Sequence, residues 1–165
     1  MGNGSFARVD RDEMQTIYYV SVFVVRPTGS SHELLLGRRA PDLYMGGTWQ
    51  LISGGIEPGE TGWQAALREV REESGLAVSE LYRLSQMTQF YRADRDCICI
   101  APMFAAIVAA DARVVINPEH TELSWVAIES AEARLMWPGD RTALAELRDT
   151  VLGNGPAKPY MKILI

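Results

Sequence analysis

Three glutamates with helical spacing are the first candidates for chemistry in this chain. Glu69 lies three and four residues before Glu72 and Glu73, in a segment whose apolar pattern predicts a helix over residues 61–74. Three carboxylates on one helical stripe repel one another, and the C-terminal end of a helix favours cations over anions. A divalent cation removes both penalties, and carboxylate oxygens suit Mg²⁺, Mn²⁺ or Ca²⁺. The spacing therefore favours a metal site, and the competing interpretation is a solvated acidic face.

The loop that precedes this helix supports the metal site. Its tight-turn residues are Gly54, Gly55, Pro58 and Gly59, which let the backbone approach a phosphate or present a carbonyl oxygen to a metal ion. Glu57 and Glu60 add two acids to the same short segment. Arg68 lies outside the glutamate stripe of the helix, and Glu60 is its natural partner. That pair would hold the loop against the helix and orient the metal ligands.

From residue 54 to residue 76 the chain fills every specified position of the Nudix box, G-x5-E-x7-R-E-U-x-E-E-x-G-U, in which U is an aliphatic residue. The matching residues are Gly54, Glu60, Arg68, Glu69, Val70, Glu72, Glu73, Gly75 and Leu76. The chain therefore resembles the Nudix hydrolase superfamily, whose members hydrolyse a nucleoside diphosphate linked to another moiety. The box does not specify the substrate.

The resemblance implies a set of metal ligands and a cofactor. The glutamates that bind the metal ions in this family correspond to Glu69, Glu72 and Glu73, with the backbone carbonyl of Gly54 as a further ligand. The implied cofactor is Mg²⁺, with Mn²⁺ as an alternative. The family fold, an α/β/α sandwich around a mixed sheet, is implied as well.

Further catalytic roles follow from the same resemblance. Glu60 would form the salt bridge to Arg68 that orients the site. A further acid from outside the box often acts as base or ligand in relatives, and we choose Glu119 for it, with Glu122 second. The proton of the attacking water could be taken by Glu119 or by either of the two adjacent glutamates of the box, and the sequence does not choose among them.

Residues outside the box point to a subgroup. The run 119–125, EHTELSW, and the pair Trp137-Pro138 are similar to enzymes described as dATP pyrophosphohydrolase or dihydroneopterin triphosphate pyrophosphatase. This similarity implies a Mg²⁺-dependent pyrophosphohydrolase that cleaves a phosphoanhydride bond in a nucleoside triphosphate or a related nucleoside diphosphate derivative. A triphosphate would yield pyrophosphate and a monophosphate.

Three alternatives stay open. Dinucleoside polyphosphate hydrolases often carry a tyrosine downstream of the box, and Tyr91 lies in that region. ADP-ribose hydrolases of the superfamily often carry a proline there, and none occurs between Pro58 and Pro102, which weakens this alternative. A non-catalytic, nucleotide-binding sensor domain is disfavoured, because the box is intact and the sequence has no helix-turn-helix module or basic patch left over.

Candidates for direct substrate contact come from outside the box. Arg38 and Arg39 end a predicted strand, and an arginine fork suits phosphate geometry. Candidates to stack on a base are Tyr44, Trp49, Phe90, Tyr91 and Trp137. Each aromatic competes with a core-packing interpretation, and each arginine with a solvated strand end. His120, beside Glu119, is a further candidate to hydrogen-bond a ligand or a metal-bound water.

Periodicity predicts an α/β fold with a mixed sheet. Strands are predicted at 16–26, 32–39, 48–52, 80–91, 97–109 and 124–128, helices at 61–74 and 141–151, and a short extended segment within 156–165. The first two strands are expected to form a hairpin. A capping box at Thr61 and Gln64 begins the first helix, and Gly75 ends it in the left-handed conformation. Mixed strands and helices with hairpins favour an α/β sandwich over a regular βαβ array.

Composition bounds the class of protein. The 165 residues suit one domain over 1–165, with 1–14 as a loose N-terminal segment. No apolar run approaches the ~20 residues of a membrane span. The net charge of −5 argues against duplex nucleic acid or an anionic membrane as partner, and two cysteines exclude a disulfide framework and favour a cytoplasmic location. The expected partner is a small nucleotide, and a homodimer stays open because family relatives are often dimers.

Overall fold

A mixed β-sheet runs through the middle of the protein. The computed structural model describes residues 15–165. Its strands are β1 (Gln15–Thr28), β2 (Ser31–Arg39), β3 (Trp49–Gln50), β4 (Ile52–Gly55), β5 (Val78–Arg92), β6 (Cys97–Val108), β7 (His120–Ala127) and β8 (Lys162–Ile163). Its helices are α1 (Gly62–Ser74), α2 (Pro138–Glu146) and α3 (Lys158–Met161), with a 3₁₀ turn at Ala131–Arg134 and a π-helical continuation of α2 at Leu147–Leu152.

The central strand β1 pairs along both of its edges. One edge runs parallel to β6. The other edge pairs antiparallel with β2 over residues 24–28, in the predicted hairpin, and then with β4 over residues 19–22. β7 joins the far edge of β2, and β5 joins β6. Because β4 takes over from β2 along β1, the first residues of the box lie beside the middle of β1, where Gly54 pairs with Val20.

Helices cover both faces of the sheet, which gives the α/β/α sandwich expected from the sequence. The layer against α1 includes Val20, Val22, Val24, Ala66 and Val70. The layer against α2 includes Phe23, Val25, Leu34, Leu144 and Leu147. Side chains of a strand alternate between the two faces of a sheet. In the middle of β1, over residues 20–25, both faces are buried, and this part of its sequence is apolar apart from Ser21.

The ends of α1 form as the local sequence predicts. The side chain of Thr61 accepts a hydrogen bond from the backbone N–H of Gln64, and the Gln64 side chain accepts one from the backbone N–H of Thr61 at 2.9 Å. Gly75 ends the helix with φ 71°, in the left-handed region that glycine enters without a Cβ penalty. Its N–H donates to the carbonyl of Arg71 at 2.9 Å. These caps fix the length of the helix that carries the glutamates.

The largest differences from the predicted elements are four. The expected strand 48–52 is divided into β3 and β4, and β7 begins at His120 instead of residue 124 because the polar start of β7 pairs with the end of β2. α2 begins at Pro138 instead of residue 141, since proline suits the first turn of a helix, where its missing N–H is not needed. The C-terminal segment forms the short helix α3 before the two-residue strand β8.

No helix within residues 15–165 is both long and apolar enough to cross a membrane. The extent of the domain over 1–165 stays a prediction. The loose segment expected at residues 1–14 lies outside the described residues.

Candidate active site

The loop that enters α1 is tied to the helix by one arginine. The Arg68 guanidinium donates through Nε to Glu60 Oε1 and through Nη2 to Glu60 Oε2, each at 3.0 Å, and Nη2 also donates to the carbonyl of Gly55 at 2.8 Å. This two-pronged bond to Arg68 holds the pKa of the Glu60 carboxyl below its usual range, with help from the backbone N–H of Glu57. The structure thus brings together Glu60 and Arg68, which the sequence pairs.

The same arginine also reaches two of the three helix glutamates. Its Nη1 donates to Glu69 Oε1 at 2.7 Å and to Glu72 Oε2 at 3.1 Å. Sequence reasoning placed Arg68 outside the glutamate stripe and paired it with Glu60 alone. The long side chain spans that separation, so one guanidinium serves three carboxylates, and these bonds raise the pKa of Arg68 further above its already high value.

The three helix glutamates differ in burial. The side chain of Glu72 is 57% exposed, whereas that of Glu69 is largely buried and that of Glu73 is 4% exposed. Burial raises the pKa of Glu69, although Arg68 opposes it. Burial, reinforced by the negative charges of Glu69 and Glu119, raises the pKa of Glu73 to about 9. At neutral pH the Glu73 carboxyl is therefore protonated in the absence of a cation.

Gly54 leaves space for the Glu69 carboxylate. A Cβ built on Gly54 would lie 1.9 Å from Glu69 Oε1 and 2.0 Å from its Cδ, so any larger residue would displace the side chain. The next residue, Gly55, has open space at the same position. The backbone of β4 therefore lies directly against a buried carboxylate, and it does so at the position where the family pattern places a carbonyl ligand.

The second buried acid, Glu73, lies between β4 and the start of β7. Its Oε1 accepts a hydrogen bond from the backbone N–H of Ser53 at 3.3 Å. Its Oε2 is 3.5 Å from Nε2 of His120, whose ring is buried and whose Nδ1 is 3.1 Å from Oδ1 of Asn117. Burial lowers the pKa of His120. Sequence reasoning considered His120 only as a ligand contact and missed Asn117, which a regular strand pattern gives no reason to select.

Glu119 lies on the same side of the sheet as the buried acids. Its charge raises the pKa of both Glu69 and Glu73. The side chain is 51% exposed, and its Oε2 accepts from Arg39 Nη1 at 3.2 Å. Arg39 in turn donates through Nε to the carbonyl of Tyr44 at 3.0 Å. An exposed carboxylate beside a buried acidic pair suits the role of a base that reaches solvent.

Glu122, the second choice for that role, lies on the opposite face of the sheet. It pairs with Arg38 in the β2–β7 ladder, and Arg38 is on the face opposite to its neighbours Gly37 and Arg39. The two arginines predicted to bind phosphate are therefore on opposite faces of the sheet and do not converge on one phosphate group. Arg39 is beside the acids, and Arg38 is on the α2 side of the sheet.

The aromatic candidates are dispersed. Trp49 packs against the α2-side core, with the Arg134 guanidinium 5.1 Å above its ring. The Tyr91 hydroxyl donates to Asp96 at 2.6 Å near the end of β5. Trp137 is half exposed just before α2. Their contact with a substrate stays a prediction.

A further acid, the partly buried Asp140, lies in the first turn of α2, three residues after Trp137. Burial raises its pKa to about 6. Sequence reasoning missed this residue because an aspartate at a helix start is normally explained by the helix dipole.

The donor set fits a hard divalent cation such as Mg²⁺ or Mn²⁺. Oxygens of Glu69 and Glu73 are buried close to the backbone of Gly54, and hard cations prefer carboxylate and carbonyl oxygens. Within residues 15–165, no three acidic, histidine or cysteine side chains converge on one point. Arg68 draws Glu69 and Glu72 toward itself, so joint binding of a metal by the three glutamates requires Arg68 to release them.

A family model described as the NUDIX domain matches residues 17–147, well over half of the chain. The chain belongs to the NUDIX domain family. A NUDIX hydrolase candidate from Listeria monocytogenes matches this Nudix domain with a TM-score of 0.72 and 27% identity, covering 89% of this chain and 99% of that chain. The dihydroneopterin triphosphate pyrophosphohydrolase of E. coli matches with a TM-score of 0.63 and 21% identity, covering 78% and 92%, a likeness that shows the fold alone.

Relatives by sequence are longer proteins. An octanoyltransferase of Myxococcus xanthus is 36% identical over 138 residues, which cover 80% of this chain and 35% of that protein. A candidate 8-oxo-dGTP diphosphatase 3 of Mycobacterium tuberculosis (strain ATCC 25618 / H37Rv) is 32% identical over 127 residues, which cover 74% and 57%. The Nudix chain thus spans between about a third and three fifths of the length of these relatives. The neighbours are varied, and they do not single out the dATP or dihydroneopterin triphosphate subgroup.

Proposed function

We propose that this Nudix domain is a pyrophosphohydrolase that uses Mg²⁺, or Mn²⁺ in its place, to hydrolyse a phosphoanhydride bond in a nucleoside diphosphate derivative. The observation that carries the proposal is the buried pair Glu69 and Glu73, two acids packed against the backbone of Gly54 and Ser53, of which Glu69 is bonded to Arg68 and Glu73 to no arginine or lysine within residues 15–165. A structural role does not need such a pair, because apolar residues would fill the space without the desolvation cost of a buried charge. Local violations of this kind mark functional sites.

The residues around this pair have distinct roles in the proposed reaction. Mg²⁺ would be held by the three helix glutamates and the Gly54 carbonyl, and when bound it supplies charge neutralisation of phosphate oxygens and a more acidic water. Arg68 gives up its bonds to Glu69 and Glu72, while its two bonds to Glu60 keep the guanidinium at the loop. Glu119, exposed and steadied by Arg39, takes the proton of the attacking water.

The first choice of substrate is a nucleoside triphosphate of the dATP or dihydroneopterin triphosphate kind, cleaved to a monophosphate and pyrophosphate. The run 119–125 and the Trp137-Pro138 pair support this choice. The second choice of substrate is a dinucleoside polyphosphate. Tyr91 supports it, because about half of its side chain is exposed and can contact a ligand. The substrate is expected to be a free cytoplasmic nucleotide.

A substrate panel tests the proposal directly. The protein is incubated with Mg²⁺ and, separately, deoxynucleoside triphosphates, 8-oxo-dGTP, dihydroneopterin triphosphate, Ap4A and ADP-ribose, and phosphate and pyrophosphate release are followed. We expect turnover of a triphosphate with release of pyrophosphate, and loss of turnover in EDTA. Glu72→Gln should lower turnover by orders of magnitude. Glu57→Gln, which changes an exposed acid in the loop before α1, serves as the matched control. Absence of turnover on every compound would sink the enzyme assignment.

A matched pair of variants tests the role of Glu119. Glu119→Gln should lower kcat by ~10²–10⁴-fold, the range of general base catalysis, with little change in the circular dichroism spectrum. Glu122→Gln removes a similar charge on the opposite face of the sheet and should leave kcat within about twofold of the wild type. Equal kcat values for both variants would remove Glu119 from the mechanism.

A further inference from the structure

The imidazole of His120 is enclosed between Glu73 and Asn117. Its side chain is 2% exposed, which makes it one of the most buried polar groups beside the acids. Nε2 faces Glu73 Oε2 at 3.5 Å, and Nδ1 faces Asn117 Oδ1 at 3.1 Å. Both ring nitrogens are therefore assigned to a protein partner, and neither is directed to solvent.

The hydrogen-bond pattern around Asn117 determines which ring nitrogen carries the hydrogen. The backbone N–H of Glu119 donates to the same Asn117 Oδ1 at 3.2 Å. A backbone N–H can only donate, so the amide atom that it contacts must be the oxygen. An oxygen also faces Nδ1 of His120, and this nitrogen must then be the donor. The pattern leaves Nε2 as an acceptor directed at Glu73, so it can receive a hydrogen bond from the carboxyl group and does not donate one.

A β-bulge places His120 on the side of the acids. In the β2–β7 ladder Glu122 pairs with Arg38 and His120 pairs with Arg39, so Thr121 is an extra residue without a partner of its own. In a regular strand His120 would share a face with Glu122, because side chains two residues apart lie on the same face. The extra residue turns His120 to the opposite face, which is a known effect of bulges.

Gly37 of β2 provides the surface on which the ring lies. A Cβ on Gly37 would be 2.3 Å from Cδ2 and 2.5 Å from Nε2 of His120. Any side chain at residue 37 would therefore displace the ring from this position. Asn117, the bulge at Thr121 and Gly37 come from three separate features of the chain, and all three favour one placement of the same ring.

We propose that His120 is a positioning residue that holds the Glu73 carboxyl group in the orientation required at the metal site. This inference rests on the proposed function, since it assumes that Glu73 is a metal ligand. Before a cation binds, Nε2 faces one oxygen of the carboxyl group from the side of β7, while the Ser53 N–H donates to the other oxygen from the side of β4, so the group is oriented in advance. Partners of this kind commonly change metal affinity or activity by ~10–100-fold when they are removed.

The first test measures Mn²⁺ binding alone, by electron paramagnetic resonance of the free ion, on the full chain without substrate. His120→Leu removes the polar atom and should weaken Mn²⁺ binding by ~10–100-fold. His120→Gln keeps a polar atom at the end of the side chain and should stay within about threefold of the wild type. His32→Gln, at the other histidine of the chain, is the matched control.

The second test perturbs the ring without changing it. Asn117 lies in a partly exposed loop, so Asn117→Leu should fold, and Asn117→Asp keeps the acceptor. We expect the leucine variant to lose the preference of His120 for the Nδ1–H form in side-chain ¹⁵N NMR spectra and to weaken Mn²⁺ binding, and the aspartate variant to retain both. These spectra contain only two histidines, which makes their assignment direct. If His120→Leu fails to fold, the Asn117 pair decides the question.

The outcomes separate this inference from the proposed function. Wild-type Mn²⁺ affinity in His120→Leu or in Asn117→Leu would overturn the positioning role, and so would an equal loss in the leucine and glutamine variants of His120, which would reduce the role to ring shape. A wild-type protein that binds no Mn²⁺ would overturn it too. A protein that binds Mn²⁺ with the expected ranking of variants, but turns over no phosphoanhydride, would refute the enzyme and leave the positioning role standing.

Discussion

Replacing Glu73 with glutamine should stabilise the metal-free protein, and the gain should grow with pH. The pKa of Glu73 is raised from 4.5 to about 9 in the folded protein because its side chain is almost completely buried. For an acid whose folded pKa lies above the unfolded value, stability is undiminished below pH 4.5 and falls as the pH rises toward the folded pKa. Each pH unit in this window costs about 1.4 kcal/mol. The wild type should therefore lose roughly 3 kcal/mol by pH 7 and about 6 kcal/mol by pH 9.

Urea unfolding in EDTA at several pH values measures this effect. The difference in unfolding free energy between Glu73→Gln and wild type should rise from pH 5 to pH 9 with a slope that approaches about 1.4 kcal/mol per pH unit between the two pKa values. Losses of this size are a large part of the ~5–15 kcal/mol that stabilises a typical domain. Mg²⁺ at 100 times its Kd should raise the stability of the wild type by ~2.7 kcal/mol, and the same Mg²⁺ concentration should raise that of the variant less, because the variant has lost one ligand.

Parallel pH profiles for Glu73→Gln and wild type would refute the reasoning, because they would mean that Glu73 ionises without cost in the folded state. Glu57→Gln controls for the general effect of removing one acid from the box. The opposite result would be a wild type that becomes more stable from pH 5 to pH 9 and a Glu73→Gln variant that does not. It would mean that a cation beside Glu73 favours the charged carboxylate, and the predicted direction of the pH dependence would be wrong.

Three further predictions concern the elements around the acids. Gly54→Ala should weaken Mn²⁺ binding and turnover by ~10-fold or more, because the added Cβ would displace Glu69. Gly55→Ala, which has open space at its Cβ, should change neither by more than about twofold. Equal effects of the two substitutions would contradict the steric explanation. Thr61→Ala should lower the unfolding free energy by ~0.5–2 kcal/mol through loss of the cap, measured by urea denaturation, with serine at the same position restoring most of it. Gly75→Ala should cost ~1 kcal/mol or more at φ 71° in the same assay, and an unchanged midpoint would contradict the strain.

Local signals were sufficient to predict α1, its two caps and the Glu60–Arg68 salt bridge that holds the preceding loop. Thr61 and Gly75 act on backbone groups within a few residues, so their effect is contained in the sequence itself. The Glu60–Arg68 pair spans eight residues of one loop and helix, and the structure contains it with both bonds. The apolar run of β1 is also a local signal, because consecutive apolar residues indicate a strand that is buried on both faces.

The burial of the glutamates could not be predicted in the same way. A helical wheel assigns Glu69 and Glu73 to a different stripe from the apolar residues, but it cannot state that β4 and the start of β7 cover that stripe. Those contacts join residues 20 and 47 positions apart along the chain, as between Ser53 and Glu73 and between Glu73 and His120. The early start of β7 has the same origin, since a polar segment is made a strand by its pairing with β2.

The unpaired Thr121 makes the register of β7 as important as the identity of its residues. A regular ladder would pair Thr121 with Arg39, turn His120 to the α2 face and leave Glu73 facing a gap, although every side chain named in the site would still be present. Deleting Thr121 would not have this effect, because His120 would then directly precede Glu122 and stay on the face of the acids. The site therefore depends on a choice between two registers, and a substitution that favours regular pairing at the start of β7 should impair it without altering any residue that it contains.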